Sequence, residues 1–249
     1  MTGAGVAVAD GDFEAVYVTG DGAECRVGLA DLGGLRLEDG RPVRSFPSYR
    51  GQRNYPGWYW SATMGRRVGF ESWVERDHLV ALDFDLAVTA VASQPFWLLW
   101  RAGGKVRRHA PDFFARLADG GALVIDSRPL ERIGERDLEA FTAAGAACAR
   151  LGWRYAVQGS ADPVQAANLR WLAGYRHPRC HDEPAAALLR EVFAKPRQLI
   201  HGAEMAGDPL ATLPVLFHLM WRHELAVDLS LVLSHRSVVR AAAGEGVRG

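Results

Sequence analysis

At 249 residues, 49% of them hydrophobic and 10% aromatic, the chain has enough apolar surface for one large or two small domains. Basic and acidic residues number 29 each, so no global basic field of the kind many nucleic-acid binders carry exists, and any DNA contact has to come from local patches. No apolar run is long enough to span a bilayer, and the start lacks a basic flank before an apolar stretch, so neither membrane insertion nor secretion is indicated and a cytoplasmic protein is expected.

Cys25, Cys148 and Cys180 are odd in number and widely spaced, which argues against a disulfide framework and against zinc held by paired cysteines. Nearly all the positive charge is arginine, because Lys105 and Lys195 are the only lysines.

In chain order, residues 1–45 mix short apolar alternations with glycine and aspartate and read as a small strand-rich lead-in. Residues 45–60 form a loop dense in arginine and aromatics, including Arg50 and Arg53. It suits either contact with phosphates and bases or packing of its rings against the core. From Phe70 the pattern turns helical, with Phe70, Trp73, Val74, Val80 and Leu82 on the apolar side and Glu71, Glu75 and His78 on one strip. Carboxylates four apart on a helix repel by about 0.2–0.5 kcal/mol, so a cation is expected to offset Glu71 and Glu75.

Strands are expected over 86–91, 96–100, 105–117 and 122–128, with Gly103-Gly104 and Asp119-Gly120-Gly121 at the turns. A helix over 136–151, a strand over 153–157 and a helix carrying Asn168-Leu-Arg170-Trp171 follow. This order predicts a mixed α/β or α+β core.

The chemistry concentrates in the hairpin centred on Gly120. Asp112 and Asp126 lie at nearly equal distances from the turn, so their carboxylates face each other across neighbouring strands. Asp126 and Arg128 are two apart on a strand and therefore point to the same face. With an acidic residue from the preceding helix, three carboxylates can hold Mg²⁺ (or Mn²⁺) and activate water against a phosphodiester. Arg128 would neutralise phosphate charge, although arginine cannot give up a proton.

These residues resemble the PD-(D/E)XK nuclease superfamily, and within it the TnsA-like endonuclease subunits of heteromeric transposases. The likeness rests on Phe70-Glu71-Ser72-Trp-Val-Glu75-Arg-Asp-His-Leu79 with Leu82-Asp-Phe-Asp85, on Ser93-Gln94-Pro95, on Pro111-Asp112-Phe113-Phe114 and on Asp126-Ser127-Arg128-Pro129, and spans residues 45–180. It implies a restriction-endonuclease-like nuclease domain over 46–180. Glu75 or Glu71 would be the helix carboxylate and Asp112 and Asp126 metal ligands, with Gln94 lining the site. Arg128 departs from the family by standing where it has a lysine, with Lys105 on the neighbouring hairpin as a substitute cation. The resemblance further implies cutting of one DNA strand at transposon ends, beside an RNase-H-like transposase and an AAA+ regulator ATPase. The rival readings are a DNA-binding or scaffold subunit that keeps a nuclease fold without turnover, and a stand-alone repair or defence nuclease.

Over 181–249, helices at 184–193, 197–205 and 209–222 closing on strands at 225–229 and 237–239 read as a winged-helix-like domain. Its third helix is apolar apart from His218, Arg222 and His223, which suits protein docking as well as DNA. His109, Lys105 and Arg222 complete the candidate DNA contacts begun with Arg50 and Arg53. His177, Cys180 and His181 lack a second ligand pair and read as loop residues.

Overall fold

The computed structural model describes residues 13–46, 51 and 55–242, so Arg50 and Arg53 lie outside the described residues. The chain divides into two compact units, Met1–Ser160 and Ala161–Gly249.

In the first unit the strands are β1 (Glu14–Val18), β2 (Glu24–Gly28), β3 (Gly57–Ser61), β4 (Arg66–Phe70), β5 (Val88–Ser93), β6 (Trp97–Ala102), β7 (Lys105–His109), β8 (Phe113–Leu117), β9 (Ala122–Ser127) and β10 (Arg154–Gln158). Its helices are α1 (Leu29–Leu32), α2 (Trp73–Phe84) and α3 (Glu135–Arg150). Three sheets result: β2-β1-β6-β7, the mixed sheet β10-β9-β8-β5, and the hairpin β3-β4. The strands β1 and β2 share a sheet with β6 and β7, so the N-terminal segment is part of the first unit and not a separate lead-in.

The second unit contains α4 (Pro163–Ala173), α5 (Glu183–Val192), β11 (Arg197–Gln198), α6 (Leu199–Ala206), α7 (Pro209–Trp221), β12 (Leu225–Val227) and β13 (Val238–Ala241). The boundary therefore precedes α4, where a boundary after residue 180 was expected.

Two local corrections position the site. Phe70 closes β4 instead of opening a helix, and α2 starts at Trp73, because Ser72 caps it: the Ser72 Oγ accepts from the Glu75 N–H at 3.2 Å. Trp73 is exposed, and the buried stripe of α2 runs through Glu75, His78, Leu79, Val80, Leu82 and Asp83. The single strand expected over 105–117 is two, broken at Ala110-Pro111-Asp112. Pro111 has no N–H to give to a ladder, and across it the chain leaves the first sheet at His109 and enters the mixed sheet at Phe113.

In the mixed sheet, β8 and β9 turn through Gly120 (φ 83°), a left-handed angle at which glycine has no Cβ to clash. Their register pairs Phe113 with Ile125, so Asp112 and Asp126 stand one step beyond the last pair. Then α3 crosses over and returns the chain as β10, parallel to β9. The α3 face is Ala143, Ala144 and Ala147, small enough to lie close over a core that includes Phe114 and Trp153, whose rings meet edge to face at 5.2 Å.

In the second unit α5, α6 and α7 surround the fully buried Phe193 beside the antiparallel sheet β11-β13-β12. A Cβ on Gly202 of α6 would come within 2.1 Å of the Phe193 ring, which can yield only by displacing its neighbours. Gly202→Ala is therefore expected to cost the second unit about 1–3 kcal/mol. Calorimetry checks this, and an unshifted melting transition would contradict the packing described.

Candidate functional site

The ends of β8 and β9, the linker before β8 and the first turn of α2 meet around a group of acidic side chains. Asp126, 2% exposed, has both oxygens engaged: Oδ1 accepts from His109 Nε2 at 2.9 Å and Oδ2 accepts from the Tyr155 hydroxyl at 2.6 Å. The His109 ring also stands edge-on to Phe141, with centroids 5.9 Å apart. Burial first, and then the Asp126 charge, hold the Tyr155 hydroxyl protonated far above its ordinary range, which suits it as a donor.

Asp112 lies in the linker and receives the Ser127 N–H at 2.7 Å. Its carboxyl is pushed well above the ordinary carboxylate value, first by desolvation and then by the negative charges of Glu75 and Asp126, while the Ser127 N–H and Arg44 pull the other way. Glu75 is 8% exposed. Its Oε1 accepts from the Ser72 hydroxyl at 2.8 Å and its Oε2 from the Glu71 N–H at 2.7 Å, so the residue that helps cap α2 also faces the aspartates. Burial raises its carboxyl as well, and the Glu71 charge adds to the rise.

Glu71 sits just before α2 and forms an ion pair with Arg44, Nη2 to Oε2 at 2.7 Å. Arg44 is thus the offsetting cation that the acidic strip demanded, and sequence reasoning did not name it. Gln94 has a left-handed backbone (φ 46°), unusual for a residue with a Cβ, and is 1% exposed. Its N–H donates to the Asp112 carbonyl at 2.9 Å and its carbonyl accepts from Val43 N–H at 3.0 Å. Neither polar atom of its side-chain amide has a hydrogen-bond partner among the described residues, and the same holds for Glu71 Oε1.

The candidate cations fall elsewhere. Arg128 is half exposed and its guanidinium reaches Asp137 of α3 at 3.2 Å. Lys105 is exposed and pairs with Ala102 at the turn between β6 and β7. Four residues of extended strand, about 13 Å, separate it from His109. Arg222 caps α7 in the second unit, 4.0 Å from Glu224. His177 accepts from the Arg179 N–H in a loop. Burial pushes the Cys148 thiol up to about 12, leaving an inert core residue.

Behind the aspartates, His78 is 5% exposed and doubly bonded: its Nε2 donates to the Gly159 carbonyl at 2.8 Å, and its Nδ1 accepts from the Ser127 hydroxyl at 2.7 Å. Burial lowers its pKa, so its neutral form contributes stability present above the ordinary value of about 6.5 and lost as the pH falls below it. His78→Ala takes the partner from the half-buried Ser127 hydroxyl and Gly159 carbonyl and is expected to cost about 2–4 kcal/mol. The wild type is also expected to lose more melting temperature between pH 7.5 and 5.5 than the variant does; parallel pH profiles would remove His78 from the account.

A hard divalent cation fits this donor set in kind. Three carboxylates are buried together, with the charges of Glu75 and Asp126 both opposing ionisation of Asp112; two further acceptor atoms, Glu71 Oε1 and Gln94 Oε1, are buried without partners among the described residues, and an ionised carboxylate offers about four lone pairs, so the bonds to Asp126 leave room for an ion. As placed, no three His, Cys, Asp or Glu side chains among the described residues are grouped to hold a metal, so binding requires the carboxylates to converge. No protein-family model matches the chain, and no curated protein matches it.

Proposed function

We propose that this chain is a metal-dependent DNA endonuclease subunit, with Glu75, Asp112 and Asp126 holding Mg²⁺ or Mn²⁺. The observation that carries the reading is the gathering of three buried carboxylates at one end of the β8–β9 hairpin, where the charges of Glu75 and Asp126 both act on the buried Asp112. Structural carboxylates are normally placed beside cations, and a cluster that raises its own protonation is a common mark of a functional site. Glu75 is the better helix ligand because its charge acts on Asp112, whereas Glu71 is taken up by Arg44.

The chain order supports the reading. A helix (α2), three antiparallel strands (β5, β8, β9), a crossover helix (α3) and a strand parallel to the third (β10) agree with a restriction-endonuclease-like core into which β6 and β7 are inserted. In the second unit the order α5, β11, α6, α7, β12, β13 agrees with a winged helix. Burial of α7 from Val215 through Trp221 favours a structural role over base reading for that helix.

A bound divalent ion supplies charge neutralisation and a water of lowered pKa for attack on the phosphodiester. The protein's own share is positioning. Ser127 N–H holds Asp112, His109 and Tyr155 hold Asp126, and the α2 cap holds Glu75. The resemblance to TnsA-like subunits is what supports the rest of the reading: an RNase-H-like transposase and an AAA+ ATPase as partners, and cutting of one strand at transposon ends. The second reading, a binding or scaffold subunit without turnover, is favoured by one observation: the arginine at the lysine position is turned to Asp137.

The test is nicking of supercoiled plasmid carrying the transposon ends, with partner proteins, in Mg²⁺ or Mn²⁺ and again with excess EDTA. Nicking that requires the metal supports the nuclease. No nicking under any of these conditions favours the scaffold.

A further inference from the structure

The geometry points to Arg44 as the residue that meets the scissile phosphate, in the place the sequence pattern gives to Arg128; this inference rests on the nuclease reading. Two independent placements carry it. Arg128 stands one residue past the end of β9, and its guanidinium lies on Asp137 of α3. Arg44 has its guanidinium on Glu71, the residue whose N–H holds Glu75.

The Arg44 backbone is tied to the same place. Val43 N–H bonds the Gln94 carbonyl, and Gln94 N–H bonds the Asp112 carbonyl, so two hydrogen bonds connect the Arg44 segment to the acidic linker. The charge of Arg44 reaches both Glu75 and Asp112, the direction in which it opposes their protonation. Its side chain is 35% exposed, against 12% for Glu71, so it spans from the buried carboxylates to solvent, where a DNA strand arrives. A planar guanidinium suits a phosphodiester oxygen pair, and being permanently charged it performs this role without proton transfer. The buried Gln94, with its left-handed backbone, then has a use: it ties Val43, the neighbour of Arg44, to the Asp112 carbonyl.

The full chain is compared with Arg44→Ala, Arg44→Lys, Arg128→Ala and Glu71→Gln by nicking kinetics in Mg²⁺ on plasmid carrying the transposon ends, with the partner proteins present. Binding of a fluorescein-labelled duplex is followed in Ca²⁺ across a salt series. Arg44→Ala is expected to lower kcat by about 100-fold or more, and by at least tenfold more than Arg128→Ala, with Arg44→Lys recovering part. The slope of log affinity against log salt should fall by about 1 in Arg44→Ala. An unchanged slope, a larger loss in Arg128→Ala, or a Glu71→Gln protein that reproduces the whole Arg44→Ala loss would overturn the inference while a nicking wild type keeps the nuclease standing. A wild type that never nicks, with or without metal, overturns both.

Discussion

Asp112→Asn is expected to lose metal-dependent nicking by about 1000-fold or more, and to melt at a higher temperature than the wild type when metal is absent. The first effect follows from removing one of three ligands to an ion whose charge the reaction needs. The second has the opposite sign because the ionised Asp112 is held against desolvation and against the Glu75 and Asp126 charges. A carboxyl whose folded pKa is raised contributes stability that is fully present below its ordinary value of about 3.9 and lost as the pH rises through the folded value. At neutral pH the wild type has lost that contribution, whereas asparagine is never charged and its Oδ1 still accepts the Ser127 N–H. Glu75 moves in the same direction. Calorimetry in EDTA from pH 5 to 8 should show a melting temperature that declines with pH more steeply in the wild type, with about 2–4 °C for each kcal/mol in a chain of this size. Added Mg²⁺ should stabilise the wild type and not the variant. A variant that melts lower than the wild type throughout would mean that the carboxylates do not repel one another, and the site would lose its basis.

The largest purely structural effect is expected at Asp83. Near the end of α2 and 5% exposed, it accepts four hydrogen bonds: from the Tyr59 hydroxyl at 2.9 Å, the Ser61 hydroxyl at 2.5 Å, and the N–H groups of Ala62 and Thr63, each at 2.9 Å. A two-stranded hairpin is marginal alone, and this carboxylate fastens β3–β4 to α2. Asp83→Ala leaves four donors facing a cavity and is expected to cost about 3–5 kcal/mol. Urea titration followed by tryptophan fluorescence measures it, since Trp58 and Trp60 lie on β3. A shift below about 1 kcal/mol would show that water replaces the carboxylate there.

The readings that held from sequence were those resting on strong local periodicity and caps. The helix expected over 136–151 is Glu135–Arg150, and that over 184–193 is Glu183–Val192, opened by Asp182 with proline in its first turn. The facing of Asp112 and Asp126 followed from counting outward from Gly120. What local pattern could not carry was direction beyond a strand end and pairing across distant segments. Arg128, one residue past β9, has its guanidinium on Asp137 of α3, a pairing that no count along the strand announces. Arg44 and Glu71 are 27 residues apart, and nothing in either segment announces the other. His109, read as a DNA contact, bonds Asp126, because the break at Pro111 brings the edge of one sheet to the end of another. Tyr155, from the strand that returns after α3, carried no signal beyond being an aromatic in an apolar run.

The bond from His78 to Gly159 joins positions 81 residues apart, and β10 is the last strand of its sheet. On the ribosome, therefore, α2 and the β8–β9 hairpin emerge well before the segment that completes their neighbourhood. Local hairpins close in microseconds, while a parallel pairing after a helical crossover waits for distant chain and forms slowly. Assembly of the acidic cluster is thereby timed to the end of synthesis of the first unit: until residue 159 is out, Asp126 lacks Tyr155 and His78 lacks its carbonyl. A nascent chain carries the acidic residues long before it carries the pocket that arranges them.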